Sequence, residues 1–499
     1  MLRSSKVSER LRTVAARVGY TQRAGNALRF PPLVLLLLLL YLGLAPVWAP
    51  DITEFRYDRA RCFQLILLAT IVLTFLSSRT RNHLGEAWRA LGIWARGAML
   101  AVIALGSASA LISDSPRLGS LELALNVQLL CVFLSVVAAV SKEREISQRI
   151  LSAGISLGAG VLVLQFWTTV GLNTLEGRRF SWVSPFLEFA NVRFFNQYQA
   201  YALLMLTVPL SLLRLPLVWR ALVLLIGANL WALQWALGGR AVWVGFAAAM
   251  LLVGMLTRTK GLSWIVAQLS LCVAGGLLFL LLGAVQSDAE RGGDALPEKL
   301  SVVDRGWQSV GERGAMAQSA LEIIRNRPLL GIGPGQFGLH HATTMAAHPH
   351  NSLLQLLSEY GLIAGSAAIL LGIFLLTLAL KRLRPTDGKI DSVDMALAAA
   401  LIFGLVESLF SGNLIMPHSQ VLLCVIAGWI VGRQVDETPL VLPGRWAKVE
   451  TTAIVGLSIA AVAVTTLFAY SYIQVVNNMP AWLADRPPHF WQYGRWGTW

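Results

Sequence analysis

The stretch SWIVAQLSLCVAGGLLFLLLGAV (263–285) runs for 23 residues without a charged side chain. A helix needs about 20 mostly apolar residues to cross a bilayer, so this stretch is long enough to span one. Similar stretches recur along the 499-residue chain, in which 56% of the residues are hydrophobic and 14% are charged. Because roughly a quarter of the residues in an average soluble domain are charged, the sequence predicts an all-α polytopic membrane protein.

Thirteen apolar stretches are candidate spans, so we expect about 12–13 transmembrane helices. They lie at about 31–49, 62–78, 92–113, 119–140, 150–170, 197–213, 221–237, 241–257, 263–285, 356–380, 393–412, 419–432 and 452–474. With a cytoplasmic N-terminus, the inside segments hold 25 of the 41 Lys and Arg residues. The net charge of +14 is therefore mostly a topology signal, and it predicts contact with membrane lipids rather than nucleic acid.

This topology divides the chain into five parts. A cytoplasmic basic arm (1–30) precedes nine helices (31–285), a long periplasmic loop (286–351), four more helices (352–474) and a periplasmic tail (475–499). Loops longer than about 15 residues are usually functional or disordered, so the long loop is a candidate location for a site. The four cysteines lack metal-ligand spacing and are expected to be free thiols: Cys62, Cys131, Cys272 and Cys424.

The long loop combines an amphipathic helix with a glycine-rich turn. From Arg313 to Asn326 the apolar residues recur at helical spacing, which predicts a helix lying against the membrane face of the protein. The sequence PLLGIGPGQF (328–337) then demands a turn. Its glycines, Gly333 and Gly335 among them, let backbone amides approach an anion, so the segment is either a phosphate-binding nest or a tight turn between two surface helices.

The sequence HPHN (348–351) supplies a candidate general base at the start of the next span. Histidine is well suited to accept a proton from a hydroxyl near neutral pH, and Asn351 is expected to cap the helix that follows His350. Gln355 and Glu359 are candidates to orient that histidine. The alternatives are a solvated histidine cluster or a metal site, and we expect no metal because no carboxylate lies at ligand spacing from His340, His341, His348 and His350.

Three arginines are candidate anion ligands near the membrane surface. Arg193 lies where the chain re-enters the membrane, Arg240 follows two glycines between two spans, and Arg313 opens the amphipathic helix. The fork of guanidinium donors suits a pyrophosphate, although an isolated arginine at this depth also snorkels to lipid headgroups. Glu407 is an ionisable residue within a span, and it either supports the site or pairs with one of these arginines.

Together these motifs resemble the O-antigen ligase family. The resemblance is carried by PLLGIGPGQF (328–337), by His350 and Asn351 followed by Gly361, by Arg240 within GGRAVWVG (238–245), and by Arg193 with Asn196 in RFFN (193–196). It covers roughly residues 190 to 430. The same superfamily contains O-antigen polymerases and bacterial protein O-oligosaccharyltransferases.

The resemblance implies a GT-C-like fold and an inverting, metal-independent glycosyltransferase without a cofactor, facing the periplasm from the bacterial inner membrane. A glycan on undecaprenyl pyrophosphate would be transferred en bloc to a hydroxyl of the lipid A core in lipopolysaccharide biosynthesis. Arg193, Arg240 and Arg313 would hold the pyrophosphate, and His350 would remove the hydroxyl proton. The supporting residues would be Asn196, Asn351, Gly333, Gly335, Gly361 and Glu407.

Three alternatives remain open at this point. A polymerase would extend another lipid-linked glycan, and a protein O-oligosaccharyltransferase would use a Ser or Thr of a protein. A lipid-linked glycan transporter is disfavoured, because the predicted spans carry almost no charge at their centres and the candidate residues gather at one rim.

Overall fold

The fold is that of a computed structural model, which describes residues 32–52, 56–178, 182, 184–189, 192–212, 215–288, 301–340, 348–384, 390–435 and 445–476. All of the predicted basic arm and most of the C-terminal tail lie outside these residues, as do His341 and the stretch 289–300 of the long loop. Within the described ranges the regular structure is helical, without a β-strand. The all-α prediction is therefore confirmed.

Seventeen α-helices and three short 3-10 segments make up the described residues. In chain order they are α1 (Pro32–Leu44), α2 (Arg56–Leu73), a 3-10 turn (Thr74–Leu76), α3 (Ser78–Ala90), α4 (Gly92–Ile112), α5 (Pro116–Lys142), α6 (Arg144–Leu175), a 3-10 segment (Ser184–Phe189), α7 (Val192–Met205), α8 (Val208–Leu212), α9 (Leu217–Leu237), α10 (Arg240–Thr257), a 3-10 turn (Arg258–Gly261), α11 (Leu262–Asp288), α12 (Ser301–Asn326), α13 (Phe337–His340), α14 (Ser352–Arg382), α15 (Ser392–Glu407), α16 (Pro417–Gly432) and α17 (Arg445–Val476).

The protein is a multi-pass helical membrane protein. Each of the thirteen predicted stretches contains a helix, and eight segments of the described chain are long and apolar enough to cross a bilayer. The longest of these, Arg240–Ala284, includes both α10 and α11, and two shorter apolar helices lie at Leu33–Leu44 and Pro417–Gly432. Their exposed leucine, isoleucine and valine side chains are those expected of a surface that faces lipid.

The stretch predicted as a single span at 197–213 is divided into α7 and α8. Leu206 and Thr207 form a turn between the two helices, and Pro209 follows one residue after α8 begins. Proline has no amide proton and cannot bond to the carbonyl four residues earlier, so a continuous helix through Met205 is disfavoured here. The prediction of one uninterrupted helix is wrong at this point.

Helices α5, α15 and α16 occupy the centre of the bundle. Almost every residue of α15 from Val393 to Gly404 is buried, and α5 and α16 are in close contact over their length. A Cβ atom on Gly428 would lie 2.7 Å from the carbonyl oxygen of Phe133, and one on Gly432 would lie 2.7 Å from the Cβ of Val140. The two helices thus approach more closely than larger residues would permit.

One end of this bundle collects the functional candidates. At this end, which we call the loop end, α4 passes into α5 near Asp114, and α7, α10 and α14 begin. The same end contains the termination of α15 at Glu407 and the glycine-rich turn after α12. The candidate residues, far apart in sequence, are therefore carried to one side of the protein.

Candidate active site

Arg193 and Arg240 are brought to the loop end by a contact between α7 and the α9–α10 turn. Asn196, one turn after Arg193, donates a hydrogen bond from Nδ2 to the carbonyl oxygen of Leu237 at 3.3 Å. A Cβ on Gly238 would lie 3.0 Å from the carbonyl oxygen of Gln234 in this tight connection. Both arginines have exposed side chains, so their guanidinium groups are accessible to an anion at the rim.

Arg313 completes a cluster of three guanidinium groups. Burial lowers its pKa, and the charges of Arg193 and Arg240 lower it further, whereas Glu407 acts in the opposite direction. Arg240 and Arg313 form no ion pair with a carboxylate among the residues that the structure describes. Three guanidinium groups gathered at one rim are suited to bind a polyanion.

His350 lies at the start of α14 in a strained conformation. Its φ of 54° falls in the left-handed region, which is rare for a residue other than glycine. Ser352 donates its amide proton to the carbonyl oxygen of Ser408 at 2.9 Å, which ties this segment to the end of α15. Asn351 caps the helix as predicted, since its side chain accepts the amide proton of Leu354 at 3.1 Å.

His348, two residues earlier, contacts His350 in this conformation. Its Nδ1 atom accepts the amide proton of His350 at 3.2 Å, and the centroids of the two imidazole rings lie 4.3 Å apart. Because Nδ1 is an acceptor, the neutral ring of His348 carries its proton on Nε2. The sequence had singled out His348 only as a possible metal ligand, and the pattern HPH gave no sign that one histidine orients the other.

Both histidines are neutral near pH 7. Burial, together with the charges of Arg313 and then Arg193, lowers the pKa of His350 from its ordinary 6.5 to about 4. Burial and the neighbouring His350 lower the pKa of His348 well below 6.5. A neutral imidazole beside guanidinium groups can accept a proton while the guanidinium groups hold an anion.

Glu407 adds a buried carboxylate to the cluster. Only 1% of its surface is exposed, one oxygen accepts a hydrogen bond from Ser411, and Gln197 of α7 donates to the Ser411 oxygen at 3.1 Å. Its second oxygen, Oε2, has no hydrogen-bond partner in the part of the chain that the structure describes. The carboxylate lies close enough to influence Arg313, but the expected ion pair with a described arginine is absent.

The glycine-rich turn does not offer free amides to a phosphate. Gly331, Gly333 and Gly335 have φ angles of 69°, 107° and 69°. The turn packs against α14, where the amides of Gly335 and Phe337 donate to the Glu359 carboxylate at 2.9 and 3.3 Å. The phosphate-nest interpretation is therefore wrong and the tight-turn alternative holds, and among the described residues the Glu359 carboxyl group contacts the turn rather than His350 itself.

Gly361 breaks α14 where this turn contacts it. Its φ and ψ angles are 76° and 174°, and a Cβ at this position would lie 2.2 Å from the carbonyl oxygen of Leu329. The break lets the amide of Leu362 donate to the carbonyl oxygen of Pro328 at 2.7 Å. This glycine, singled out by its spacing from His350, allows the loop to approach the helix.

Most of these site residues lie in a part of the chain that matches a known protein family. Residues 200–370 match the family model described as O-antigen ligase. This part of the chain is similar to the O-antigen ligase family. The matched residues include Arg240, Arg313, His350 and Gly361, whereas Arg193 and Glu407 lie outside them. A search of curated proteins finds no match to the chain.

His340, another described histidine of the long loop, contacts Asp114. The Nε2 atom of His340 is 3.3 Å from a carboxylate oxygen of Asp114, which also contacts Arg327. Burial lowers the pKa of His340, while Asp114 opposes that effect. The described residues include no group of three His, Cys, Asp or Glu side chains placed to hold a metal ion, and the four cysteines are free thiols as predicted.

Proposed function

We propose that this protein is an O-antigen ligase. It transfers a glycan from undecaprenyl pyrophosphate to a hydroxyl of the lipid A core, on the periplasmic side of the bacterial inner membrane. The match of residues 200–370 to the O-antigen ligase family model supports glycan transfer as the reaction class. The observation that carries the proposal is the cluster of Arg193, Arg240 and Arg313 beside a neutral His350.

In this proposal the arginines bind the leaving group. The acceptor oxygen forms a bond to the anomeric carbon as the bond from that carbon to the pyrophosphate breaks. The pyrophosphate leaves on its lipid with the electron pair of the broken bond, and the three guanidinium groups stabilise the charge that develops. His350 takes the proton of the acceptor hydroxyl. Direct displacement from the face opposite the leaving group inverts the anomeric configuration.

Binding of the donor also prepares the base. The positive charges of Arg313 and Arg193 disfavour a proton on His350 in the free protein. A bound pyrophosphate offsets those charges, so the pKa of His350 rises toward its ordinary value. The histidine becomes a stronger base only when the donor is present, which limits proton uptake before both substrates are bound.

Transfer by purified protein in detergent tests the proposal. The donor is an undecaprenyl-pyrophosphate glycan, the acceptor is a rough lipopolysaccharide, and EDTA is present throughout. We expect glycosylated lipopolysaccharide from wild type and a loss of roughly 10²- to 10⁴-fold in His350→Ala, the range for removal of a general base.

The other outcomes identify the alternatives. Lengthening of the lipid-linked glycan without use of lipopolysaccharide would replace the ligase with a polymerase, and transfer to Ser or Thr of a protein would indicate a protein O-oligosaccharyltransferase. Equal activity of wild type and His350→Ala would remove His350 as the base. Loss of wild-type activity in EDTA, restored by a divalent cation, would contradict the metal-independent mechanism.

A further inference from the structure

The anion site of the glycine-rich turn is filled from within the chain. The Glu359 side chain is 3% exposed, and it accepts the amide protons of Gly335 and Phe337. Gln355, one helical turn earlier on α14, lies 3.4 Å from both carboxylate oxygens. A carboxylate held by two backbone amides and a side-chain amide is the ligand that such a turn otherwise takes from solution.

We propose that Glu359 is a positioning residue that joins the half of the site on α12 to the half on α14. This inference rests on the proposed function for its kinetic consequence, because Arg313 and His350 are the groups that it would align. It assigns to Glu359 no contact with the substrate.

The path from Glu359 to Arg313 runs through Phe337. The amide of Phe337 donates to the Glu359 carboxylate, and its fully buried ring packs with Met316 and Ala320 of α12. Met316 lies three residues after Arg313, on the same face of the helix. Ile323 and Leu354 close this small apolar cluster, so the orientation of α12 depends on where Phe337 is held.

The path from Glu359 to His350 is the first part of α14. Glu359 lies before the break at Gly361, on the same helical segment that Asn351 caps. Backbone bonds strengthen the junction, since Ile332 and Gly333 donate to the carbonyl oxygens of Ser358 and Glu359, each at 3.0 Å. The turn is held on a second side by Gln336, whose Nε2 atom donates to Ser113 at 2.6 Å.

Hydrogen bonding makes the junction sensitive to a single substitution, because the Glu359 side chain accepts two backbone amides. Glu122 of α5 lies beside the turn, where a Cβ on Gly335 would come 2.4 Å from its Cγ. Replacing Glu359 by Gln keeps the shape but turns one end of the group into a donor that faces amide donors. We expect the turn to loosen and α12 to shift, so that Arg313 moves away from His350.

The kinetic test compares Glu359→Gln with Glu322→Gln, which makes the same carboxyl-to-amide substitution at an exposed position of α12. We expect kcat/KM for the lipid-linked donor to fall roughly 10- to 100-fold in Glu359→Gln and to stay unchanged in the control. The groups facing His350 are Arg313, Arg193 and His348. With Arg313 displaced, the acid limb of the kcat/KM profile should move to higher pH, which a general loss of stability would not cause.

Hydrogen exchange measured by mass spectrometry tests the junction without reference to activity. Peptides covering 328–340 should exchange faster in Glu359→Gln, while the capped start of α14 and the central helix α15 should not change. If Glu359→Gln fails to fold, Glu359→Asp retains the carboxyl group but is too short to reach both amides, and the same criteria apply to it.

Two results would overturn the proposal. Faster exchange in the turn with unchanged kcat/KM and an unchanged acid limb would show that the junction does not position the site. A loss of kcat/KM without a change in exchange or in the acid limb would show that Glu359 acts by another route. If wild type transfers no glycan, the proposed function fails, whereas exchange and the affinity for inorganic pyrophosphate in wild type and Glu359→Gln still test the positioning.

Discussion

At the scale of single residues, the site depends on a histidine whose charge state is set by its neighbours. His348 holds the backbone of His350 at a positive φ, and Arg313 and Arg193 keep the His350 ring neutral. The residue types were recognisable from the sequence, since arginine and histidine at a membrane rim indicate anion binding and proton transfer. The dependence of His350 on His348 could not be recognised from the sequence, because it arises from a single hydrogen bond to a backbone amide.

Arg313 should control the pH dependence of the free protein. The pKa of His350, about 4, sets the acid limb of kcat/KM, and protonation of the ring below that pH removes the base. In Arg313→Gln one positive charge is lost, so the acid limb should move to higher pH while kcat/KM falls roughly 10- to 100-fold. Arg325→Gln, an exposed position on the same helix, is the control for pH–rate profiles. If the acid limb lies at the same pH in Arg313→Gln and Arg325→Gln, the electrostatic coupling between Arg313 and His350 is contradicted.

Arg240 should act mainly on the donor. It is exposed at the start of α10 and forms no ion pair with a described carboxylate, so its replacement leaves no buried charge behind. We expect Arg240→Gln to weaken binding of inorganic pyrophosphate, measured by calorimetry, and to lower kcat/KM roughly 10-fold or more. Arg240→Lys should recover part of this loss, because it restores the charge without the forked donors. Affinity equal to wild type in Arg240→Gln would remove this residue from the donor site.

At the scale of secondary-structure elements, the sequence predicts long apolar helices well and short or interrupted ones poorly. Helix α3 lies between two predicted spans and has no apolar stretch, because only Leu84, Ala87 and Trp88 and a few small residues face the core. The break between α7 and α8 was missed as well, since hydropathy does not register a proline. The glycine-rich turn was recognised, but its partner Glu359 lies more than 20 residues downstream, beyond the reach of local patterns.

Gly361 should be intolerant of a side chain. An alanine would adopt a positive φ and place its Cβ against the carbonyl oxygen of Leu329, so Gly361→Ala should lower the free energy of unfolding by roughly 1–3 kcal/mol or more. Gly456→Ala is the control, because that glycine is helical, exposed and without neighbours within 4 Å. Thermal unfolding in detergent should show a lower midpoint only for Gly361→Ala. Equal unfolding midpoints for Gly361→Ala and Gly456→Ala would mean that α14 accommodates a side chain at residue 361 with little loss of stability.

At the scale of the whole molecule, periodicity and hydropathy suffice for the class of fold but not for the assembly of the site. The helical character of the apolar stretches follows from the sequence, because each span must satisfy its own backbone hydrogen bonds. Which helices become central does not follow, since the largely exposed helix α11 is about as apolar as the buried helix α16. The gathering of Arg193, Arg240, Arg313 and His350 was inferred from motifs, and the structure shows the three-dimensional arrangement.

The folded protein should lose stability in mild acid. The pKa values of His348 and His350 are lowered from 6.5 on folding, so the unfolded chain binds more protons below about pH 6.5. The free energy of unfolding therefore falls as the pH drops from about 6.5 toward 4, by as much as about 1.4 kcal/mol for each pKa unit. His348→Gln preserves an acceptor for the His350 amide but does not titrate, so its unfolding midpoint should fall less between pH 7 and 5. If the unfolding midpoint falls equally with pH in wild type and His348→Gln, His348 does not contribute to the loss of stability in acid.

The internal carboxylate of the turn also imposes an order on biosynthesis. The amides of Gly335 and Phe337 emerge from the ribosome before Glu359, and α14 starts from a residue that bonds to Ser408, which emerges later still. The position of the arginine-bearing helix α12 is therefore not fixed while α14 and α15 are untranslated. A nascent chain that ends before Glu359 holds most of the charged groups of the site without their arrangement, and the site can assemble only once α14 and α15 are in place.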